Sequence, residues 1–147
     1  MTTESIAQLT AADIRELIYG FESGTLPKEK WTHEAHLLMA LWYLWSYSSD
    51  EAIPRICEGI QKYNIASGGQ NTDTSGYHET LTLFWISVVA KFLEKHILET
   101  SIEALANQLV EEKYPTSLPL NYYSREQVFS VQARKEWVEP DIKPLSE

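Results

Sequence analysis

The chain has 147 residues, of which 44% are hydrophobic and 12% aromatic, and these values predict one folded domain rather than a disordered chain. Its formal net charge of −9 argues against nucleic acid or an anionic membrane as a partner, because both repel an acidic surface. Cys57 is the one cysteine, so an intrachain disulfide is excluded.

The sequence contains no stretch that is typical of a signal peptide or a membrane span. The residues that open it lack a positive region followed by an apolar one. The longest apolar runs, residues 35–45 and 81–93, are shorter than the roughly 20 residues that cross a bilayer. We therefore expect a cytoplasmic protein with no membrane segment.

Capping signals mark the first two predicted helices. Thr10 and Asp13 form a start similar to a capping box, and apolar residues then recur at helical spacing as far as Gly24, which is typical of a helix end. Thr32 is the predicted cap of the second helix, which runs to about Tyr47. This helix is apolar on nearly every side, so we expect it to lie at the centre of the fold.

A third helix is predicted to begin between Ser49 and Ile53, because Pro54 favours the first turn of a helix. The segment that follows, residues 67–76, is rich in Gly, Asn, Asp and Ser and predicts irregular backbone. Two interpretations of this segment stay open, a plain connection and a lid over a binding site.

The fourth helix is predicted over residues 76–95, with Ser75 or Thr74 as its cap. His96 is expected at its C-terminal end, where a histidine interacts favourably with the helix dipole.

Thr100 and Glu103 predict a capping box for a fifth helix. Prolines interrupt the remainder, which we expect to hold short helices over residues 126–129 and 130–138 and an extended tail from about residue 139. No alternation typical of strands occurs. The predicted fold class is all-α, a compact bundle of four to five main helices with a Pro-interrupted C-terminal segment, in a single domain over residues 1–147.

Three of the four histidines lie at the starts of the two most apolar helices. His33 and His36 are three residues apart and share one face of the second helix, and His78 opens the fourth. The partial positive charge of a helix N-terminus favours neutral imidazole, which is the form that binds metals. The sequence therefore predicts a divalent-metal site (Fe, Mn, Ni or Zn) formed by His33, His36 and His78.

An enzyme built on this site would use the metal to activate water or to polarise a small substrate, in hydrolysis or oxygen chemistry. Glu79 is the predicted catalytic base, and the loop over residues 68–76 would cover the pocket. Asp73, Tyr77 and Arg125 are candidate ligand-binding residues, Arg125 because a guanidinium can bind a carboxylate or phosphate.

Other interpretations stay open at this point. The histidines could be structural groups that bond helix caps, carbonyls and tyrosine hydroxyls, or they could form a metal-free pocket. The alternative function is then a non-enzymatic module that binds a small molecule or a protein. The many apolar helix faces of so short a chain also favour a homodimer.

Residues 31–36 (WTHEAH), 76–80 (GYHET) and 122–126 (YYSRE) resemble the motifs of a small uncharacterised bacterial family of helical proteins. The resemblance implies no activity, so no residue role follows from it. Three histidines at the mouth of a bundle are also similar in architecture to the DinB-type metalloproteins, whose histidine pattern differs from the pair and single residue of this chain.

Overall fold

The computed structural model describes residues 8–146, which form helices joined by loops with no strand in that range. Five main helices carry the fold: α1 (Ala11–Ser23), α2 (His33–Ser46), α3 (Ser49–Ala66), α4 (Glu79–Lys95) and α5 (Ile102–Glu112). The other helical segments are two 3-10 turns, Lys28–Lys30 and Leu118–Asn121, and two short helices, α6 (Arg125–Val128) and α7 (Val131–Lys135). The predicted all-α bundle is confirmed.

Helix α2 lies at the centre of this bundle and contacts α1, α3, α4 and α5. Five consecutive residues, from Leu37 to Leu41, are buried, and such a run places apolar side chains on every side of a helix. The prediction of a central helix is therefore confirmed. Its central position brings the N-terminal turn of α2, with His33 and His36, between the neighbouring helices.

The helix starts predicted from short polar side chains are correct for α1 and α2. Thr10 and Asp13 form a complete capping box, and the hydroxyl of Thr32 accepts a hydrogen bond from the N–H of Ala35 at 3.1 Å. Gly24 ends α1 with φ +75°, a backbone conformation that suits glycine. These caps fix the ends of α1 and the first turn of α2, which carries the two histidines.

The predicted start of α4 is wrong by three residues. The helix begins at Glu79, and its cap is His78, whose Nδ1 accepts a hydrogen bond from the N–H of Leu81 at 3.1 Å. Ser75, one of the two predicted caps, instead closes a turn in which its carbonyl accepts from the N–H of Thr72. The predicted helix end at residue 95 is correct, and His96 forms the C-cap.

Two further predicted boundaries differ from the structure. Ser101 rather than Thr100 caps α5, while the carboxylate of Glu103 accepts from the N–H of Ala11 and so joins α5 to α1. The last helix ends at Lys135 rather than near residue 138. It ends there because the backbone N–H of Val138 donates to the hydroxyl of Thr80 on α4, which holds that stretch extended.

A second, smaller apolar cluster joins the C-terminal segment to α4. Phe84 of α4 packs in it against Tyr123, Val128, Ala133 and Val138, all of which are buried. This cluster positions α6 and α7 beside the start of α4, where His78 lies. No helix in the described range is long and apolar enough to cross a membrane.

Candidate functional site

A cavity of about 460 Å³ lies where α2, α3 and α4 meet. His33, His36 and His78 all line this space, which we call the histidine cavity. The rest of its wall is mostly apolar or aromatic and includes Trp31, Leu37, Ile56, Ile60, Leu81 and Trp85. No Asp, Glu, Lys or Arg side chain of residues 8–146 lines it. The three predicted histidines are thus brought to one site.

His36 is held in one orientation by two contacts. Its Nδ1 donates to the carbonyl oxygen of Thr32 at 2.7 Å, and its ring packs against Trp31 with the ring centroids 3.8 Å apart and the ring planes tilted by 30°. Burial lowers the pKa of His36 from its ordinary value of 6.5, and the nearby His33 lowers it further. The ring is therefore neutral at pH 7, with its Nε2 unprotonated.

His33 forms the wall between the histidine cavity and a second cavity. Its Nε2 lies 2.9 Å from the carbonyl oxygen of Tyr114, just beyond α5, and its ring packs edge-on against Trp85 at 4.7 Å. The second cavity, of about 270 Å³, also contacts His33 and reaches α5. Because a carbonyl oxygen only accepts, Nε2 of His33 is the donor of this hydrogen bond.

His78 uses both ring nitrogens inside the protein. Nδ1 caps α4, and Nε2 donates to the carbonyl oxygen of Val128 at 2.7 Å. The residue is buried, and this burial lowers its pKa below 6.5. His78 is therefore a neutral, structural cap whose ring keeps no lone pair free for a ligand.

The geometry does not bring a complete metal shell together in the described part of the chain. No group of three or more His, Cys, Asp or Glu side chains there is arranged to hold a metal ion. His78 would have to give up a hydrogen bond to bind one, whereas His33 and His36 each keep one unpaired nitrogen among these residues. A metal bound by the three histidines stays a prediction.

Glu79 lies beside the histidine cavity rather than in its wall. Its carboxylate accepts a hydrogen bond from the hydroxyl of Tyr77, a residue that does line the cavity. Burial and this bond raise the pKa of Tyr77, so the phenol stays protonated and serves as a donor to Glu79. A role of Glu79 as a base stays a prediction.

The other two candidate ligand-binding residues lie away from the cavity wall. Asp73 is exposed, and its carboxylate is 3.6 Å from the ammonium group of Lys135, which is also exposed. Arg125 is exposed as well, with its guanidinium 6.0 Å from the ring centre of Phe129. Their proposed contacts with a ligand stay predictions.

The loop before α4 is fixed to the bundle by a side chain that the sequence analysis did not single out. The Nδ2 of Asn71 donates to the carbonyl of Gln61 at 3.0 Å, and its Oδ1 accepts from Asn64 at 2.9 Å and from the N–H of Tyr77 at 3.0 Å. Asn71 thereby joins the end of α3 to the edge of the cavity. The Asn-Gly-rich composition predicted turns, but not these contacts.

Arg134 fixes the same loop from the other side. Its guanidinium donates to the carbonyl oxygens of Gly76 at 2.9 Å and of Tyr77 at 3.3 Å, and both of these residues line the cavity. The cavity edge is thus bonded to α3 and to α7.

A comparison of the chain with protein-family models, with curated proteins and with solved structures finds no match, so the family resemblance stays a prediction.

Proposed function

We propose that this protein is a small-molecule-binding module and that its ligand occupies the histidine cavity. The observation that carries the proposal is a preformed space of about 460 Å³ with an apolar wall and a few polar groups. Ligand sites in proteins typically measure roughly 300–1,000 Å³ and combine the same two kinds of lining. A metal-free pocket fits this arrangement better than a metal centre, because His78 is already bonded at both nitrogens.

The rigidity of the cavity edge supports binding of a defined ligand. Asn71 and Arg134 hold the loop at Gly76 and Tyr77 by hydrogen bonds from opposite sides. A preformed site loses little conformational entropy when a ligand enters, and this favours affinity. The wall formed by the described residues has no Asp, Glu, Lys or Arg side chain, and this disfavours ions that would have to lose their hydration without a partner of opposite charge.

Binding of N-phenylnaphthylamine, an uncharged dye that fluoresces in apolar surroundings, tests the proposal. Thr82 of α4 lines the cavity and is half-buried, so the substitution Thr82→Trp would fill the space from its side. The matched control is Thr100→Trp, because Thr100 is exposed and lies outside the cavity wall. Circular dichroism establishes that both variants are folded.

We expect wild type and the Thr100→Trp variant to bind the dye, and the Thr82→Trp variant to bind at least about tenfold more weakly, because lost contact area lowers affinity. Absence of dye binding by the wild type would overturn the proposal. Equal binding by the Thr82→Trp variant would place the dye elsewhere and overturn it as well.

A further inference from the structure

The hydrogen-bonding groups of the histidine cavity point to a chemical class of ligand, and this inference rests on the proposed function. His36 offers an acceptor. Its Nε2 has no donor partner within residues 8–146. In that range every fully buried side-chain nitrogen or oxygen has a hydrogen-bond partner, so the unpaired Nε2 is not fully buried. Because His36 lines the cavity and Nδ1 carries its proton, Nε2 is accessible as an unprotonated nitrogen.

Several donors of the wall are already used inside the protein. The N–H groups of His33 and His78 donate to backbone carbonyls, and the hydroxyl of Tyr77 donates to a carboxylate. Asn64 donates through Nδ2 to Asn71, whose Oδ1 also accepts from a backbone N–H, so the orientation of both amides is fixed. Among residues 8–146, the wall groups that can still accept include Nε2 of His36, Oδ1 of Asn64 and the hydroxyl of Thr82, which can also donate.

Aromatic rings lie on two sides of the same space. Trp31 and His36 form a closely packed, tilted pair on the α2 side, and Trp85 lies on α4. Aromatic surfaces of this kind favour planar ligands, because offset-stacked and edge-to-face contacts between rings add to the energy of burial. The absence of charged side chains from the described wall favours a ligand that carries no charge.

We infer that the cavity binds an uncharged aromatic heterocycle or phenol that donates an N–H or O–H hydrogen bond to Nε2 of His36. Its ring lies among Trp31, Trp85 and the apolar residues of α3. A ligand without a donor leaves Nε2 unpaired. A charged ligand finds no Asp, Glu, Lys or Arg partner among the described residues of the wall. Donor and neutrality together define the class.

Three bicyclic probes of nearly equal shape test the donor. Indole carries an N–H, N-methylindole replaces its hydrogen by a methyl group, and benzofuran replaces the N–H by an oxygen that only accepts. The indole N–H groups of Trp31 and Trp85 have no partner among residues 8–146 and could donate to the oxygen of benzofuran. Tighter binding of benzofuran than of indole would therefore contradict the inference. Binding of each probe is measured as displacement of N-phenylnaphthylamine. We expect indole to bind about tenfold more tightly than either analogue, the usual effect of one buried hydrogen bond.

Two substitutions at His36 locate the acceptor. His36→Phe keeps an aromatic ring against Trp31 but has no nitrogen, and His36→Asn keeps a donor for the carbonyl of Thr32 but has no group at the position of Nε2. In both variants we expect indole and N-methylindole to bind equally, while N-phenylnaphthylamine, which also carries an N–H, still enters the cavity with reduced affinity. The Asn variant gives the test if the Phe variant does not fold.

The outcomes separate this inference from the proposed function. Dye binding that is lost with Thr82→Trp, together with equal binding of indole, N-methylindole and benzofuran to wild type, would overturn the donor class and leave the binding function standing. A preference for indole that persists in both His36 variants would also overturn it. Tryptamine and indole acetate, which carry opposite charges, should displace the dye poorly, and tight binding of either would contradict the neutral class.

Discussion

The Nε2 atom of His78 lies 2.7 Å from the carbonyl oxygen of Val128, and this hydrogen bond joins the start of α4 to the end of α6, 50 residues later. The other nitrogen of the same ring caps α4 through the N–H of Leu81. One buried imidazole therefore fixes both a helix start and the packing of the C-terminal segment. This double role makes His78 a structural residue of the histidine cavity.

Substitutions at His78 should reduce stability in a defined order. His78→Asn keeps a side-chain oxygen that can cap α4 but leaves the carbonyl of Val128 unpaired, which costs about 1–3 kcal/mol. His78→Ala removes both contacts and should lower the free energy of unfolding by about 2–4 kcal/mol. Urea unfolding measures both values. Equal stability of the two variants and the wild type would show that neither hydrogen bond contributes.

The capping rules predicted the starts of α1 and α2 because each capping side chain accepts a hydrogen bond from an N–H group only three residues later in the chain. Thr10 and Thr32 are the common kind of cap, a short side chain with an oxygen. The start of α4 was missed because its cap is an imidazole. The ring is oriented by a bond to Val128 across the fold, which no local pattern reveals.

The candidate site was predicted in part for a similar reason. The i, i+3 spacing correctly placed His33 and His36 on one face, and both line the cavity with His78. Their hydrogen-bond partners were not predictable. The carbonyl bound by His33 lies 81 residues later at Tyr114, and the contacts of Arg134 with the loop before α4 span 57 and 58 residues. The sequence could therefore indicate a shared site but not which ring nitrogens remain free.

The substitution Gly76→Ala should displace the edge of the histidine cavity. Gly76 has φ +81°, and an added Cβ would clash with the backbone carbonyl oxygen of Gln70. Gly68→Ala is a matched control, because Gly68 also has positive φ, +97°, but a Cβ there meets no atom within 4 Å. We expect Gly68→Ala to cost about 1–2 kcal/mol of stability through backbone strain alone.

Gly76→Ala should cost more, about 3 kcal/mol, since the strain and the clash add. It should also weaken binding of N-phenylnaphthylamine several-fold, whereas Gly68→Ala leaves the binding constant unchanged. Thermal unfolding and dye titration measure the two effects. If both variants lose affinity equally, the position of Gly76 does not determine the shape of the cavity.

Metal removal should leave the protein unchanged if the cavity binds an organic ligand. Only two of the predicted ligands, His33 and His36, keep a nitrogen without a partner in the described chain, whereas catalytic zinc sites typically use three protein ligands. We expect dialysis against EDTA to alter neither dye affinity nor the free energy of unfolding. Elemental analysis of the untreated protein is the direct measurement.

Elemental analysis could also give the opposite result, a bound metal. Near-stoichiometric Fe, Mn, Ni or Zn that disappears from a folded double variant, His33→Ala with His36→Ala, would establish a metal site. It would also contradict the metal-free cavity. His96→Ala serves as the control, because His96 caps the far end of α4 outside the cavity wall.

Stability should fall as the pH drops below about 6.5, because burial lowers the pKa values of both His36 and His78. In that pH range the unfolded chain binds protons at these two residues and the folded protein does not, so proton uptake favours unfolding. Above 6.5 neither state is protonated there, and this contribution is constant. We therefore expect the free energy of unfolding to decrease steadily as the pH falls from about 6.5 toward 5.

The carboxylates of an acidic chain also titrate at low pH, so the histidine contribution requires a comparison between variants. The double variant His36→Phe with His78→Asn should show a flatter dependence than wild type between pH 7 and 5, whereas His96→Gln, which keeps both buried histidines, should follow the wild type. Urea unfolding at a series of pH values gives the three curves. Indole affinity should fall only at lower pH, where His36 of the folded protein itself becomes protonated, because a protonated Nε2 no longer accepts a hydrogen bond. Parallel curves for the double variant and the wild type would assign the pH dependence to other groups.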